Sequence, residues 1–328
     1  METIIGKSNR KGARRSQNLS RVRSIEQKFT LFEMFERFMN YKQTEGLAKP
    51  TIKQYYEHFH YLIQYSGGDL NNENITLEFF REYIGYMLND RGVSPTTANV
   101  RIRTMRAFLR HSYQENWISE PIHERFKPVK TPEDEIQSFT PSEVKALLNQ
   151  IDDDRYVGFR DRVMIYTLLD IMVRISELLN TKRSNVDTNS GFIKLESHET
   201  KTKRARTVPI SNKTMKLLKE YMLETEDFGS EFLFVSYDGR PILSNTWRRR
   251  LTEYGESAGI KNKRVSPHTF RHTGALFYVM NGGDPFSLQK ILGHSDMSMV
   301  RKYIQMTDLD VKKQHNSFSP LNCVFGKR

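Results

Sequence analysis

Between Pro267 and Tyr303 the chain carries a His, an Arg, a second His and a Tyr at spacings suited to attack on a phosphodiester. With its leading serine the run reads SPHTFRHTGALFYVMNGGDPFSLQKILGHSDMSMVRKY. His268 and Arg271 follow Ser266-Pro267, an N-cap with proline in the first turn, so a helix is expected to start here. Their three-residue spacing puts both side chains on one helix face. His294 follows a Leu-Gly turn, and Tyr303 lies nine residues further on in a short helical stretch. A basic face, a proton-transfer group and a hydroxyl nucleophile are what a phosphate ester needs when no metal takes part.

Two further cations join them from upstream. Arg174 sits in LLDIMVRISELL, a largely apolar run where a lone Arg is costly unless it meets an anion or a partner. Glu177, three residues on, is placed either to orient it or to form a plain structural pair. Lys201 lies in KTKRARTVPI, a basic turn between two expected strands; a solvated hairpin tip is the plainer alternative to a catalytic role.

The elements that must position these residues fall into two groups. From Phe29 to about Asn116 the apolar spacing predicts four helices, the last from Pro95 to Gln114. That helix carries Arg101, Arg103, Arg106 and Arg110 and has no Asp or Glu from Thr96 to Gln114. One-sign charge favours DNA contact over a merely solvated face. Residues 117–137 hold three prolines and little periodicity and read as an extended linker. From 138 onward, Thr140-Pro141-Ser142-Glu143 is a capping box that opens a second group of helices. These are expected near 141–151, 158–171, 174–181, 213–224, 245–258, 267–281, 285–292 and 298–305. Strands are expected at Phe192–Leu195 and Thr207–Ile210, with a third at Phe232–Val235.

Composition sets outer bounds. The chain has 328 residues, 37% of them hydrophobic, and a formal net charge of +12. Such a balance favours a polyanionic partner. Residues 7–28 hold eight cations against Glu26 alone, which suggests a flexible basic arm over 1–28, either a DNA contact or a solubilising tail. No apolar run reaches the roughly 18 residues of a membrane span. With no h-region near Met1, a cytoplasmic protein is expected. A single cysteine, Cys323, excludes an internal disulfide and thiolate zinc sites.

Together the motifs resemble the tyrosine recombinase, or phage integrase, family. RISEL carries Arg174, the hairpin runs from Lys201 through Val208-Pro209, HTFRHT carries His268 and Arg271, LGHS carries His294, and Tyr303 falls at the expected distance. The resemblance spans about residues 29–320 and is strongest after 170. It implies a mainly α protein: an N-terminal four-helix, SAM-like core-binding domain, then a mixed α/β catalytic domain with a small antiparallel sheet. It also implies site-specific cutting and rejoining of double-stranded DNA through a 3′-phosphotyrosine and a Holliday junction. Tyr303 would be the nucleophile, Arg174 and Arg271 the phosphate clamp, Lys201 the acid for the 5′-oxygen, His268 the base, and His294 a phosphate ligand. No ATP, metal or other cofactor follows from this chemistry. A homotetramer on two DNA sites is implied, with a C-terminal segment docking between protomers and possible accessory proteins.

One position departs from the pattern: many relatives have Gly two residues before the first Arg, and here it is Met172. His272 is also a family feature, and packing or a neighbour hydrogen bond is expected of it rather than catalysis. A zinc hydrolase is disfavoured because no Glu lies between His268 and His272. A type IB topoisomerase fits the length less well, and a non-enzymatic DNA-binding protein would have lost Tyr303 or an Arg. The region before Phe29 is short for the arm-binding domain of the large phage integrases, which leans toward a simpler recombinase of a mobile element or a resolution system. A basic arm longer than a minimal resolution enzyme needs leans toward the mobile element over Xer-like dimer resolution.

Overall fold

The computed structural model describes residues 28–131, 137–196, 205–293 and 296–304, with 312, 315–317 and 319–320 beyond them. The expected basic arm before Lys28 therefore lies outside the described residues, as do Lys201 and His294. Most of the expected C-terminal docking segment lies outside them as well. The chain divides into two compact units between residues 133 and 134.

In the first unit, helix α1 (Leu31–Thr44) starts at a reciprocal Thr30–Glu33 capping box. Helix α2 (Lys49–Ser66) ends where Gly67 takes the left-handed conformation, at φ 74. Thr76 caps α3 (Leu77–Gly85), which runs on into a π-turn over Tyr86–Asp90. Ser94 caps α4 (Pro95–Gln114), whose first-turn Pro95 has no N–H to waste. The four expected helices are thus present, and aromatic rings fill the space between them. Phe35 stacks on Phe59 with centroids 3.7 Å apart and meets Phe108 edge-on at 5.5 Å.

The expected linker over 117–137 is only partly extended. Ile118, Ile122 and Phe126 are buried in this core, and a one-turn helix α5 (Ile122–Arg125) folds onto α4. The Arg106 Nε donates to the His123 carbonyl at 2.8 Å, and Asn99 exchanges two hydrogen bonds with the Val129 backbone. The polar and proline-rich composition concealed apolar anchors spaced about four apart, which is why the segment read as a linker.

In the second unit a Thr140–Glu143 capping box opens α6 (Pro141–Leu148). Helix α7 (Tyr156–Ile171) runs through the core and stops at Met172, which adopts φ 52, ψ 33. Helix α8 (Ile175–Asn180) follows at once. Strands β1 (Val186–Asp187), β2 (Phe192–Leu195) and β3 (Arg206–Pro209) pair antiparallel in the order β1-β2-β3. Val186, Ile193 and Val208 lie in register, and all three are buried. Helices α9 (Asn212–Glu224), α10 (Ser244–Ser257), α11 (Pro267–Met280), α12 (Pro285–Leu292) and α13 (Ser298–Arg301) complete the unit.

The strand expected at Phe232–Val235 is a correction. This run makes only isolated bridges, Lys182 to Phe232 and Val235 to Pro241, and the third strand is Val186–Asp187. Leu233, Phe234 and Val235 are all buried, and side chains bind the backbone in place of a ladder. The Val235 carbonyl accepts from Tyr156 and Arg160, and its N–H donates to the Tyr221 hydroxyl.

Helix α11 lies close against α7 because Gly274 has no side chain. A Cβ there would fall 2.3 Å from the Leu169 carbonyl oxygen. Among the described residues no helix is long and apolar enough to cross a membrane.

Candidate active site

Arg174 occupies the N-cap position of α8, directly after the left-handed residue Met172 and Val173. The left-handed conformation costs a non-glycine residue about 1–2 kcal/mol. It turns the chain sharply from the end of α7 into α8, the geometry for which glycine is the usual choice. Met172 is buried in the core, so its side chain offsets that cost by packing.

Glu177 organises the cations around it. It is fully buried; its carboxylate accepts from the Arg174 backbone N–H at 2.9 Å and from the Arg174 guanidinium at 3.0 Å. It also takes a two-pronged contact from Arg206, at 3.1 and 2.8 Å. Burial alone would push this carboxyl up, yet the Arg206 hydrogen bonds and the Arg174 contacts hold it below the ordinary carboxylate range. Arg206 also donates to the Ile291 carbonyl at 3.0 Å. It passes Gly293 so closely that a Cβ there would meet its guanidinium at 2.9 Å.

Arg271 reaches the same neighbourhood from α11. Its guanidinium is buried and donates to the Leu292 carbonyl at 3.0 Å, one of the orphan acceptors at the end of α12. Burial and the neighbouring charges of Arg174 and Arg206 pull it down to about 10, against the smaller opposing effect of Glu177. It therefore stays protonated at neutral pH.

Tyr303 follows the single turn of α13 and is almost wholly buried among core side chains. Burial raises the pKa of its phenol, and the Arg271 charge opposes that rise. Its hydroxyl is hydrogen-bonded to Nδ1 of His272. The other ring nitrogen, Nε2 of His272, lies 2.7 Å from Nε2 of His268. Burial, then Arg271 and Arg174, keeps His268 below the ordinary imidazole value and hence neutral near pH 7.

Of the six expected site residues, Arg174, Arg271, His268 and Tyr303 converge, while Lys201 and His294 lie outside the described residues. Arg206 was not singled out from the sequence. A signal existed: Arg206 lies two positions before buried Val208, so it shares the inward face of β3. Among the described residues no group of three or more His, Cys, Asp or Glu is placed to hold a metal.

The four arginines of α4 do not form one stripe. Arg103, Arg106 and Arg110 share a face at spacings of three and four. Arg101 turns the other way, its guanidinium 3.9 Å from the centre of the Tyr61 ring on α2.

Residues 137–309, slightly more than half of the chain, match the Phage integrase family, and residues 30–128 match the Phage integrase SAM-like domain. The chain belongs to the phage integrase family. It is a tyrosine recombinase, an enzyme that cuts and rejoins DNA at specific sites. It is 30% identical over 299 residues to tyrosine recombinase XerA of Thermococcus kodakarensis, covering 90% of this chain and 98% of the relative. The Tn1549 transposon integrase, solved with a circular-intermediate DNA, shares the fold at TM-score 0.74 and 19% identity, covering 87% and 98% of the two chains. A lambda integrase tetramer bound to a Holliday junction does so at TM-score 0.70 and 20% identity, covering 86% and 80%.

Proposed function

We propose that Tyr303 attacks the scissile phosphate, leaving a 3′-phosphotyrosine and a free 5′-hydroxyl on double-stranded recombination-site DNA. Arg174 and Arg271 stabilise the charge that spreads over the non-bridging oxygens, since a guanidinium fork offers two donors and stays protonated. His268 supplies the base, Lys201 protonates the departing 5′-oxygen, and His294 binds the phosphate. The observation that carries this reading is a buried phenol hydrogen-bonded to His272, which in turn meets His268, with the Arg271 charge beside the phenol and Arg174 beside Arg271. An isolated Tyr is only about 0.1% ionised at neutral pH, so a nucleophilic role needs such surroundings.

A duplex recovered from a random-sequence library by binding to the protein provides the test substrate. Wild-type protein should form a covalent adduct mapping to Tyr303. Tyr303→Phe should bind the duplex and form none; an adduct with that variant would remove Tyr303 from the role. Lys201→Ala should regain cleavage on a 5′-bridging phosphorothiolate, whose leaving group needs no acid. Equal impairment on both substrates would remove Lys201.

The biological setting in this reading is movement of a mobile element by a tetramer on two sites, with accessory proteins as possible partners. The highly basic residues 7–28 support it, as additional DNA-binding charge. A second reading, a Xer-like dimer-resolution enzyme, is favoured by the 30% identity to XerA. A pair of inverted half-sites at the ends of a mobile segment around the gene would decide for the first, and a lone chromosomal site for the second.

A further inference from the structure

We propose that His272 is a catalytic residue, the group that takes the proton from Tyr303 and passes another on to His268. This rests on the reading of Tyr303 as nucleophile. A histidine retained only for packing would settle its ring nitrogens on fixed partners such as carbonyls. Here each nitrogen instead meets a titratable group: Nδ1 the Tyr303 hydroxyl, Nε2 the ring of His268. His268 and His272 are four apart on α11, so their side chains stack along one face. Their ring centres lie 4.1 Å apart, with the planes near perpendicular. The Nε2 of His268 is engaged by His272, so in this arrangement the expected base reaches the nucleophile through His272 and not directly.

The tautomers follow from the chemistry of neutral imidazole, one nitrogen donating and the other accepting. With Tyr303 protonated and donating to Nδ1, His272 carries its proton on Nε2 and donates to Nε2 of His268. His268 then holds its own proton on Nδ1. As the Tyr303 oxygen bonds to phosphorus, its proton moves to Nδ1 of His272, and the Nε2 proton of His272 moves to His268. His272 ends neutral as the other tautomer, and His268 becomes the imidazolium. The reverse transfer returns the proton when the 5′-hydroxyl displaces Tyr303 during rejoining. Among the described residues, charged groups around the pair include Arg271 on the same helix and Arg174 at the start of α8, with Glu177 and Arg206 near Arg271. Both nearer cations favour neutral His268 in the resting site, so it is ready to accept.

The test is single-turnover cleavage of the library-derived duplex, nicked beside the cleavage position so that the cut fragment leaves. His272→Asn keeps an acceptor for the Tyr303 hydroxyl but cannot relay a proton, and His272→Gln serves if the Asn variant folds poorly. Each of His272→Asn and His268→Asn should slow cleavage about 100-fold, the lower end of general acid–base contributions, with DNA binding unchanged. The double variant should be no slower than the slower single, as expected of residues acting as one unit. The rate in mixed H2O and D2O should depend on more than one proton in wild type and on one in His272→Asn. The relay is overturned if the folded variant cleaves within about threefold of wild type, or if the two losses multiply. Tyr303→Phe, run alongside, separates the cases: if it forms an adduct the nucleophile assignment fails, and if it is inert only the relay is at stake.

Discussion

The two units solve the problem of carrying cations in opposite ways. The first keeps a nearly uncharged interior of packed rings and carries Arg103 and Arg110 on its surface. The second takes charge inside: Asp161 is fully buried against Arg160 and Arg250, and Glu177 against Arg206 and Arg174. Buried ion pairs are weak contributors to stability, because desolvation offsets most of the attraction, while breaking one is costly. The Glu177 set is the one that bears on the proposed function. In that reading, guanidinium groups that meet a phosphate in fixed positions need a rigid anionic scaffold behind them, and Glu177 braces Arg174 and Arg206. Surface arginines that contact a DNA backbone, the role proposed for Arg103 and Arg110, need no such fixing.

The largest expected effect belongs to the buried set. Arg271→Ala should lower the single-turnover cleavage rate by about 100- to 1000-fold, as for loss of one preorganised donor, with the duplex still bound. Cleavage within a few-fold of wild type would break the contrast, since Arg271 would then act like a surface cation. Glu177→Gln should destabilise the second unit by about 3–5 kcal/mol, because Arg206 and Arg174 are left without their counter-charge. Each unit has one tryptophan, Trp117 in the first and Trp247 in the second, so Trp117→Phe leaves a reporter for the second unit alone. A shift in the Trp247 transition on denaturation, with the Trp117 transition unmoved, is the expected outcome.

Acid should separate the units less sharply. The Glu177 carboxyl is held below the ordinary carboxylate range, so its contribution is complete above that range and is lost as pH falls through its folded value. The depressed carboxylates of the first unit, Glu45 and Glu73, sit on exposed surface where pairing contributes little. The Trp247 signal should therefore change at a higher pH than that of Trp117, and Glu177→Gln, destabilised at every pH, should lose the part of the pH dependence that Glu177 supplies. The smallest effect is that of the surface cations. Arg103→Ala or Arg110→Ala should reduce the salt dependence of binding by about one unit of slope each, without altering cleavage at saturating DNA.

Helix boundaries were legible in the sequence because caps and prolines act locally: Thr140 and Ser266 each cap where their residue types predict. The same holds for the hairpin, whose alternation buries Ile193 and Val208. Phe232–Val235 was misread because an apolar run has the same composition whether it pairs in a sheet or is clasped by Tyr156, Arg160 and Tyr221. The anchors Ile118, Ile122 and Phe126 were missed for a similar reason, since prolines and charges around them dominate the local pattern.

By itself the sequence determined which chemistry the chain carries, because residue type and chain order fix which groups can ionise, donate or attack. It offered Arg174, His268, Arg271 and Tyr303 as candidates through their types, their order and the family resemblance, and that resemblance marked Met172 as standing where many relatives have glycine. What it could not determine is which groups touch. That Arg206 braces Glu177, that Arg101 turns toward Tyr61, and that His272 stands between His268 and Tyr303 depend on contacts between segments distant in sequence. Such contacts are set by how helices pack: Gly274 lets α11 lie close against α7, and Gly293 gives Arg206 its path. A one-dimensional spacing gives the face of a helix on which a side chain lies, and only the packing of that face decides its partner.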